Sequence, residues 1–265
     1  MFPAKSWFVG CGNMGGAMVA GWRKAGLDLS GMTAVSPSGR EIDGVTVVTE
    51  IPEGQPDWCV IGFKPQMLGD IAPTLSPHIG EQTVLLSILA GAQAQSLRKA
   101  FPNARAIVRL MPNLPVSEGE GVTAIYSDDA DEALRGEVEA VIAALGLAAW
   151  CADEAHFDVI GAIAGSGPAY LARFVEALSK AAQGEGLPAD LADAIALQVA
   201  GGSALMARAT GETMPALAKR VASPGGTTEA GLKVLDADDG MEALLIRVVK
   251  AWRQRSDEMA AAARG

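Results

Sequence analysis

Residues 7–15 read Trp7-Phe8-Val9-Gly10-Cys11-Gly12-Asn13-Met14-Gly15, a short apolar run that breaks into a GxGxxG pattern and continues with helical periodicity. Each glycine has its own reason in a strand–turn–helix setting. Gly10 permits the tight turn, Gly12 lets a pyrophosphate approach the backbone, and Gly15 lets helix and strand pack closely. The helix start then offers N–H groups and partial positive charge to phosphates. In isolation the pattern also fits a plain turn. Directly after a strand and opening a helix, it predicts a dinucleotide site on Gly10, Gly12, Asn13, Met14 and Gly15.

Outward from this stretch, apolar runs over 7–10, 32–36, 58–63, 83–89 and 106–110 alternate with helical patterns over 14–25, 66–75 and 94–100. Short apolar runs bounded by Gly, Pro or Asp suit parallel strands buried on both faces. Their alternation with helices predicts an α/β fold, a doubly wound sheet with right-handed crossovers. Runs at 121–126 and 148–151 add edge strands around a helix over 129–145. After about Asp153 the strand-like runs stop. Helical stretches over 154–163, 169–183, 189–209, 214–222 and 240–264 follow, with Pro168 and Pro188 placed as at helix starts. The expected division is therefore a nucleotide-binding domain over 1–152 and an all-helical domain over 153–265. Small apolar residues on the latter (Ala194, Ala196, Ala200, Gly201, Gly202, Ala204) favour close packing against a second copy.

Composition excludes several classes. The 265 residues are 49% hydrophobic and 20% charged, which suits a packed globular chain rather than a disordered one. The net charge of −10, with both halves acidic, argues against a nucleic-acid partner, which needs a basic face. No apolar run approaches the ~18 residues that cross a bilayer, so no membrane partner is expected. Lys5 ahead of Trp7, Phe8 and Val9 is a weak imitation of a secretory leader, because the apolar run breaks at once; it reads as a mature cytoplasmic start. Cys11, Cys59 and Cys151 are an odd number without CxxC spacing, and His78 and His156 are the only histidines. Neither a disulfide framework nor a Cys/His metal site is expected, and the cysteines read as small buried hydrophobes in a reducing cytoplasm.

Four further stretches carry candidate chemistry. The second strand ends in Ser36-Pro37-Ser38-Gly39-Arg40, where an NAD site would usually place an acid for the ribose 2′-hydroxyl. Ser36, Ser38 and Arg40 suit a 2′-phosphate instead, which favours NADPH while leaving NADH usable; the other reading is a Ser/Pro turn with a solvated arginine. Lys64-Pro65 follows the third expected strand, at the strand ends where ligands bind in open α/β sheets. Lys64 there could touch cofactor phosphate or ribose, or a substrate carboxylate, or stand as a surface lysine before a helix. Met111-Pro112-Asn113-Leu114-Pro115 is a rigid loop or a plain turn, with Asn113 able to donate and accept. In the helical half, Gly165-Ser166-Gly167-Pro168-Ala169-Tyr170 resembles an N-cap followed by proline. Ser223-Pro224-Gly225-Gly226-Thr227-Thr228 offers successive amides and hydroxyls before a helix, which is either a nest for a carboxylate or phosphate or a bare cap.

The ordered set of these motifs resembles the pyrroline-5-carboxylate reductase family over nearly the whole chain, most specifically at 165–170 and 223–228. The resemblance implies a Rossmann-type sheet followed by an all-helical dimerisation domain, acting as a homodimer or an assembly of dimers. It implies NAD(P)H-dependent reduction of the small molecule 1-pyrroline-5-carboxylate to L-proline. By motif, Ser223, Gly225, Gly226, Thr227 and Thr228 would hold the substrate near the dimer interface, with Thr228 as the catalytic candidate through a hydrogen bond to the ring nitrogen. Gly10, Gly12, Met14, Gly15, Ser36, Lys64 and Pro65 would line the cofactor site. Gly62-Phe63 departs from the family's usual Ala-Val before Lys-Pro.

The residue inventory independently suits imine rather than carbonyl chemistry. Ketone reduction builds an alkoxide and usually needs a His, Lys or Tyr donor beside it, and neither histidine lies in a glycine-rich motif. A cyclic imine nitrogen is basic enough to arrive protonated, so orientation is the main requirement. Tyr170 is the remaining protein donor to consider, beside a reading as a packing residue. Two rivals remain: a β-hydroxyacid-type dehydrogenase, using a lysine such as Lys180 or Lys233, and a non-catalytic dinucleotide-sensing dimer.

Overall fold

The structure is a computed structural model and describes residues 2–262; the parts of the expected ranges at 1 and 263–265 lie outside the described residues. The strands are β1 (Ser6–Val9), β2 (Met32–Val35), β3 (Thr46–Val48), β4 (Trp58–Ile61), β5 (Val84–Ser87), β6 (Ala106–Pro112), β7 (Gly121–Tyr126) and β8 (Gly146–Trp150). They form one sheet in the order β3-β2-β1-β4-β5-β6-β7-β8. All neighbours are parallel except β6 and β7, which pair antiparallel from Arg109↔Tyr126 to Pro112↔Thr123. The order reverses between β1 and β4, where Val9 pairs with Ile61, so the crevice beyond these two strand ends is the topological switch point.

The strand sequences explain why both sheet faces are covered. Successive side chains alternate faces. Phe8, Val60, Leu86 and Val108 pack with Met18 and Trp22 of α1 (Asn13–Lys24) and Val138 and Val141 of α4 (Glu132–Ile142). Trp7, Cys59, Ile61, Leu85 and Ile107 pack on the other side with Leu75 of α2 (Leu68–Leu75) and Leu97 of α3 (Ala94–Ala100). Burying each large side chain contributes roughly 1.5–3 kcal/mol. The indole N–H of Trp22 donates to the Val141 carbonyl at 3.0 Å and ties α1 to α4.

Several expected elements differ in detail. The strand β3 was not expected: no helix separates it from β2, so the strand–helix alternation passes over it. The helix expected over 66–75 is a 3-10 turn, Pro65–Met67, followed by α2. The helix expected over 129–145 shortens to α4, whose N-cap Asp131 accepts from the Leu134 N–H at 2.8 Å.

The larger correction concerns 165–170. Helix α5 (Glu154–Ile160) runs through a π turn, Gly161–Gly165, directly into α6 (Ser166–Gly184), so there is no N-cap and no new start at 169. Pro168 lacks the N–H that would bond the carbonyl four residues back. That carbonyl, on Ala164, instead accepts from the Asn113 amide nitrogen at 3.0 Å. A Cβ at Gly161 would lie 2.2 Å from the Met111 sulfur, so a larger residue there would displace the Met111 side chain where the turn meets β6.

Packing divides the chain into compact units, residues up to Ser166 and from Gly167 onward. Residues 154–160 are helical, as expected, yet they pack with the sheet: Phe157 is buried with Ala124 and Cys151. The change in sequence character near 152 therefore precedes the division in packing. The second unit contains most of α6, then α7 (Ala189–Thr210), α8 (Met214–Val221), α9 (Thr227–Leu235) and α10 (Met241–Ala262). Among its described residues only Ser179, Ala192, Ala196 and Leu217 are buried, while Phe174, Leu197, Leu205 and Leu244 are exposed. Apolar surface on that scale marks an interaction face. Among the described residues, no helix is long and apolar enough to cross a membrane, and no group of three or more His, Cys, Asp or Glu could hold a metal.

Candidate active site

The glycines of the turn stand in different surroundings. Gly10 has φ +81°, and a Cβ there would lie 2.6 Å from the Phe63 backbone nitrogen. A Cβ at Gly15 would lie 2.7 Å from the Phe8 ring. Gly12 is different. Its φ is −80°, and nothing lies within 4 Å of a Cβ built on it. The protein itself thus leaves room at Gly12, as a close-approaching group requires. No side chain caps α1 and no acidic residue occupies its first turn, so the helix-start amides keep their capacity for an anion. The residues present therefore fit a dinucleotide pyrophosphate.

Cys11, Gly12 and Asn13 line a groove of about 460 Å³ together with Arg40, Glu41 and Asp43. Burial pushes the Cys11 thiol up to about 11, with nearby Arg40 pulling the other way; it is protonated at neutral pH and a poor nucleophile. Beyond β2, the Ser36 and Ser38 hydroxyls lie 3.1 Å apart, and Ser38 Oγ accepts from the Arg40 N–H at 3.4 Å. Gly39 turns the chain at φ +64°. Arg23 pairs with Asp43 in the same groove, whereas the Arg40 guanidinium has no ion-pair partner among the described residues. Glu41 and Asp43 were not singled out in the sequence, although both lie within three residues of Arg40.

Lys64 leaves β4 in an extended conformation at the N-cap of the 3-10 turn that Pro65 opens. It is exposed, and its ammonium has no partner among the described residues. Asn113 is buried and structural: besides donating to Ala164, its Oδ1 accepts from the Val122 N–H at 2.8 Å. Sequence reasoning also missed Arg109, buried in β6, whose guanidinium donates to Glu154 at 2.5 Å and stacks 4.2 Å from the Phe157 ring. An arginine inside an otherwise apolar strand was the signal available.

In the second unit, residues 222–226 form the turn that opens α9, with Gly226 as its N-cap. Gly225 has φ +71°, and the Gly226 N–H donates to the Ser223 carbonyl at 2.9 Å. The Gly225 N–H is already engaged, donating to Glu229 Oε2 at 2.5 Å. Thr227 and Thr228 are the first residues of α9, exposed, and their hydroxyls have no hydrogen-bond partner among the described residues. Tyr170 is half-buried within α6. Gly10 to Pro65 thus belong to the first unit and Ser223 to Thr228 to the second.

Comparison with known proteins gives the family. Residues 154–259 match the pyrroline-5-carboxylate reductase dimerisation domain. Pyrroline-5-carboxylate reductase from Pseudomonas aeruginosa is 35% identical over 263 residues, covering 96% of each chain. The chain belongs to the pyrroline-5-carboxylate reductase family. Among solved structures, the pyrroline-5-carboxylate reductase of Coxiella burnetii superposes with a TM-score of 0.87 at 29% identity, covering 96% of this chain and 97% of that one. The Plasmodium falciparum pyrroline carboxylate reductase, solved with NADP bound, gives 0.83 at 26% identity over 98% and 99% of the two chains. The family match covers the loop 223–228. The helices of the second unit up to residue 259 fall within the family's dimerisation domain, which supports a homo-oligomer.

Proposed function

We propose that this chain reduces 1-pyrroline-5-carboxylate to L-proline with NADPH, NADH being usable, the final step of proline formation. The observation that carries this reading is the 35% identity to a pyrroline-5-carboxylate reductase across 96% of both chains. The open space at Gly12 and the uncapped start of α1 support a dinucleotide. When bound, the reduced nicotinamide supplies a hydride to the imine carbon.

The protein's own work is binding and orientation. Gly10, Gly12, Asn13, Met14 and Gly15 present backbone to the pyrophosphate, and Ser36, Ser38 and Arg40 hold the 2′-phosphate. Lys64 and Pro65 complete the cofactor wall. Ser223, Gly225, Gly226, Thr227 and Thr228 hold the substrate carboxylate and ring, with Thr228 bonding the ring nitrogen. The imine nitrogen arrives protonated from solvent, so the reaction needs no buried acid. Holding donor and acceptor atoms about 3–3.5 Å apart then accounts for much of the rate gain. The exposed apolar residues of the second unit support a homodimer formed through it, and further association of dimers. Free Cys11, Cys59 and Cys151 suit a reducing cytoplasm.

Nothing in the geometry favours a lysine-based hydroxyacid dehydrogenase. Lys180 pairs with Glu176 at 2.6 Å and Lys233 with Glu229 at 3.3 Å, both in exposed helical ion pairs. The deciding assay is NADPH oxidation on addition of pyrroline-5-carboxylate. Tight NADPH binding without turnover would instead support the sensor. For the cofactor, Arg40→Ala is expected to raise the KM for NADPH about tenfold and that for NADH less than about twofold. Equal changes in steady-state assays with both cofactors would end the 2′-phosphate assignment.

A further inference from the structure

We infer that Glu229 is a positioning residue that holds the Gly225–Gly226 turn in its substrate-binding shape. The inference rests on the reading of 223–228 as the substrate loop. Glu229 lies in the first turn of α9, three residues after the N-cap Gly226, which has no side chain with which to cap the helix. Its carboxylate turns back instead, and Oε2 accepts from the Gly225 N–H at 2.5 Å. A bond to a charged acceptor is shorter and stronger than a neutral one. The other oxygen, Oε1, faces Lys233 Nζ at 3.3 Å, one helical turn on. Both oxygens are therefore tied, which fixes the side chain against the turn.

Two consequences concern the site. Gly225, at φ +71°, contributes shape rather than a donor, because its amide is engaged. The donors left for a substrate carboxylate are the first amides of α9, at Thr227 and Thr228, with their hydroxyls. Without the Glu229 bond, the turn keeps the Gly226 N–H to Ser223 carbonyl bond at 2.9 Å and the Ala230 N–H to Gly226 carbonyl bond at 3.2 Å, and nothing else among the described residues ties the Gly225 amide. A looser turn leaves those donors less well aligned, so substrate binding suffers before the cofactor site does.

Reach and charge can be separated in the intact oligomeric enzyme. Glu229→Gln keeps an oxygen that can accept from Gly225 and loses the charge; Glu229→Asp keeps the charge but is one methylene too short. The expected result is a KM for pyrroline-5-carboxylate raised about tenfold in Glu229→Asp and within about threefold of the parent in Glu229→Gln, with the KM for NADPH unchanged in both. The reverse order, equal effects, or no effect in Glu229→Asp would overturn the inference. A Thr228→Ala variant assayed alongside separates the two failures. If it is impaired while Glu229→Asp is normal, only the role of Glu229 falls. If Thr228→Ala is also normal, the substrate loop itself is misassigned.

Discussion

Thr228→Ala lowers kcat/KM for pyrroline-5-carboxylate by about 100-fold while the Kd for NADPH stays within about twofold, the scale expected when a single hydrogen-bonding group at a reacting centre is removed. The residue is the second of α9, is exposed, and its hydroxyl has no partner among the described residues. Removing the hydroxyl therefore leaves no polar group unpaired and creates no cavity. Alanine is also the better helix former, so the melting temperature should not fall. The loss then reports on substrate orientation alone. Steady-state kinetics with a parallel cofactor titration check it, and an unchanged kcat/KM removes Thr228 from the chemistry.

Glu154→Ala is expected to destabilise the first unit by about 3 kcal/mol. The Glu154 Oε1 atom accepts from Arg109 Nη1 at 2.5 Å and from the Ala94 N–H at 2.9 Å. It thus neutralises an arginine whose side chain is 4% exposed and caps α3 from a distant part of the chain, where Gln93 makes no cap of its own. Losing the carboxylate strands a buried guanidinium above the Phe157 ring and leaves a helix-start amide without its acceptor. Glu154 is itself 30% exposed, and water entering there keeps the cost at the lower end of the range for a broken buried pair. In melting temperature the fall is roughly 6–12 °C. Thermal unfolding followed by circular dichroism measures it, and no shift would mean that solvent screens the pair. Because Glu154 bonds Arg109 and Ala94 and none of the glycine-turn residues, NADPH affinity well below the melting range should stay near that of the parent.

Much of the fold was legible because local rules and long-range packing agree. Strand runs buried on both faces must be apolar throughout, so β1, β4, β5 and β6 stood out, and the glycines at 10 and 15 marked contacts that exclude a side chain. The misses have the opposite character. The edge strand β3 is three residues long and joins β2 without an intervening helix. The motif at 165–170 has the composition of a helix start, yet it continues a helix, because Asn113 satisfies the carbonyl that Pro168 leaves free. Arg109 and Glu154 are far apart in sequence and neither forms part of a local motif. At the substrate loop, the residues were legible but the engagement of the Gly225 amide by Glu229 was not, since a carboxylate in a first helical turn has several possible partners.

The order of the motifs along the chain, the switch from strands to helices, and the glycine turn with its Ser-Pro-Ser-Gly-Arg companion followed from the sequence alone, because turn geometry and burial periodicity act over a few residues. Tertiary structure decided what depends on partners distant in sequence: the antiparallel β7, the continuous α5–α6 path, and the attachment of residues 154–166 to the sheet. It also decided which glycine is enforced by the protein and which leaves room for a ligand. A Cβ at Gly10 meets Phe63 and one at Gly12 meets nothing, a difference set by what the rest of the chain brings beside each.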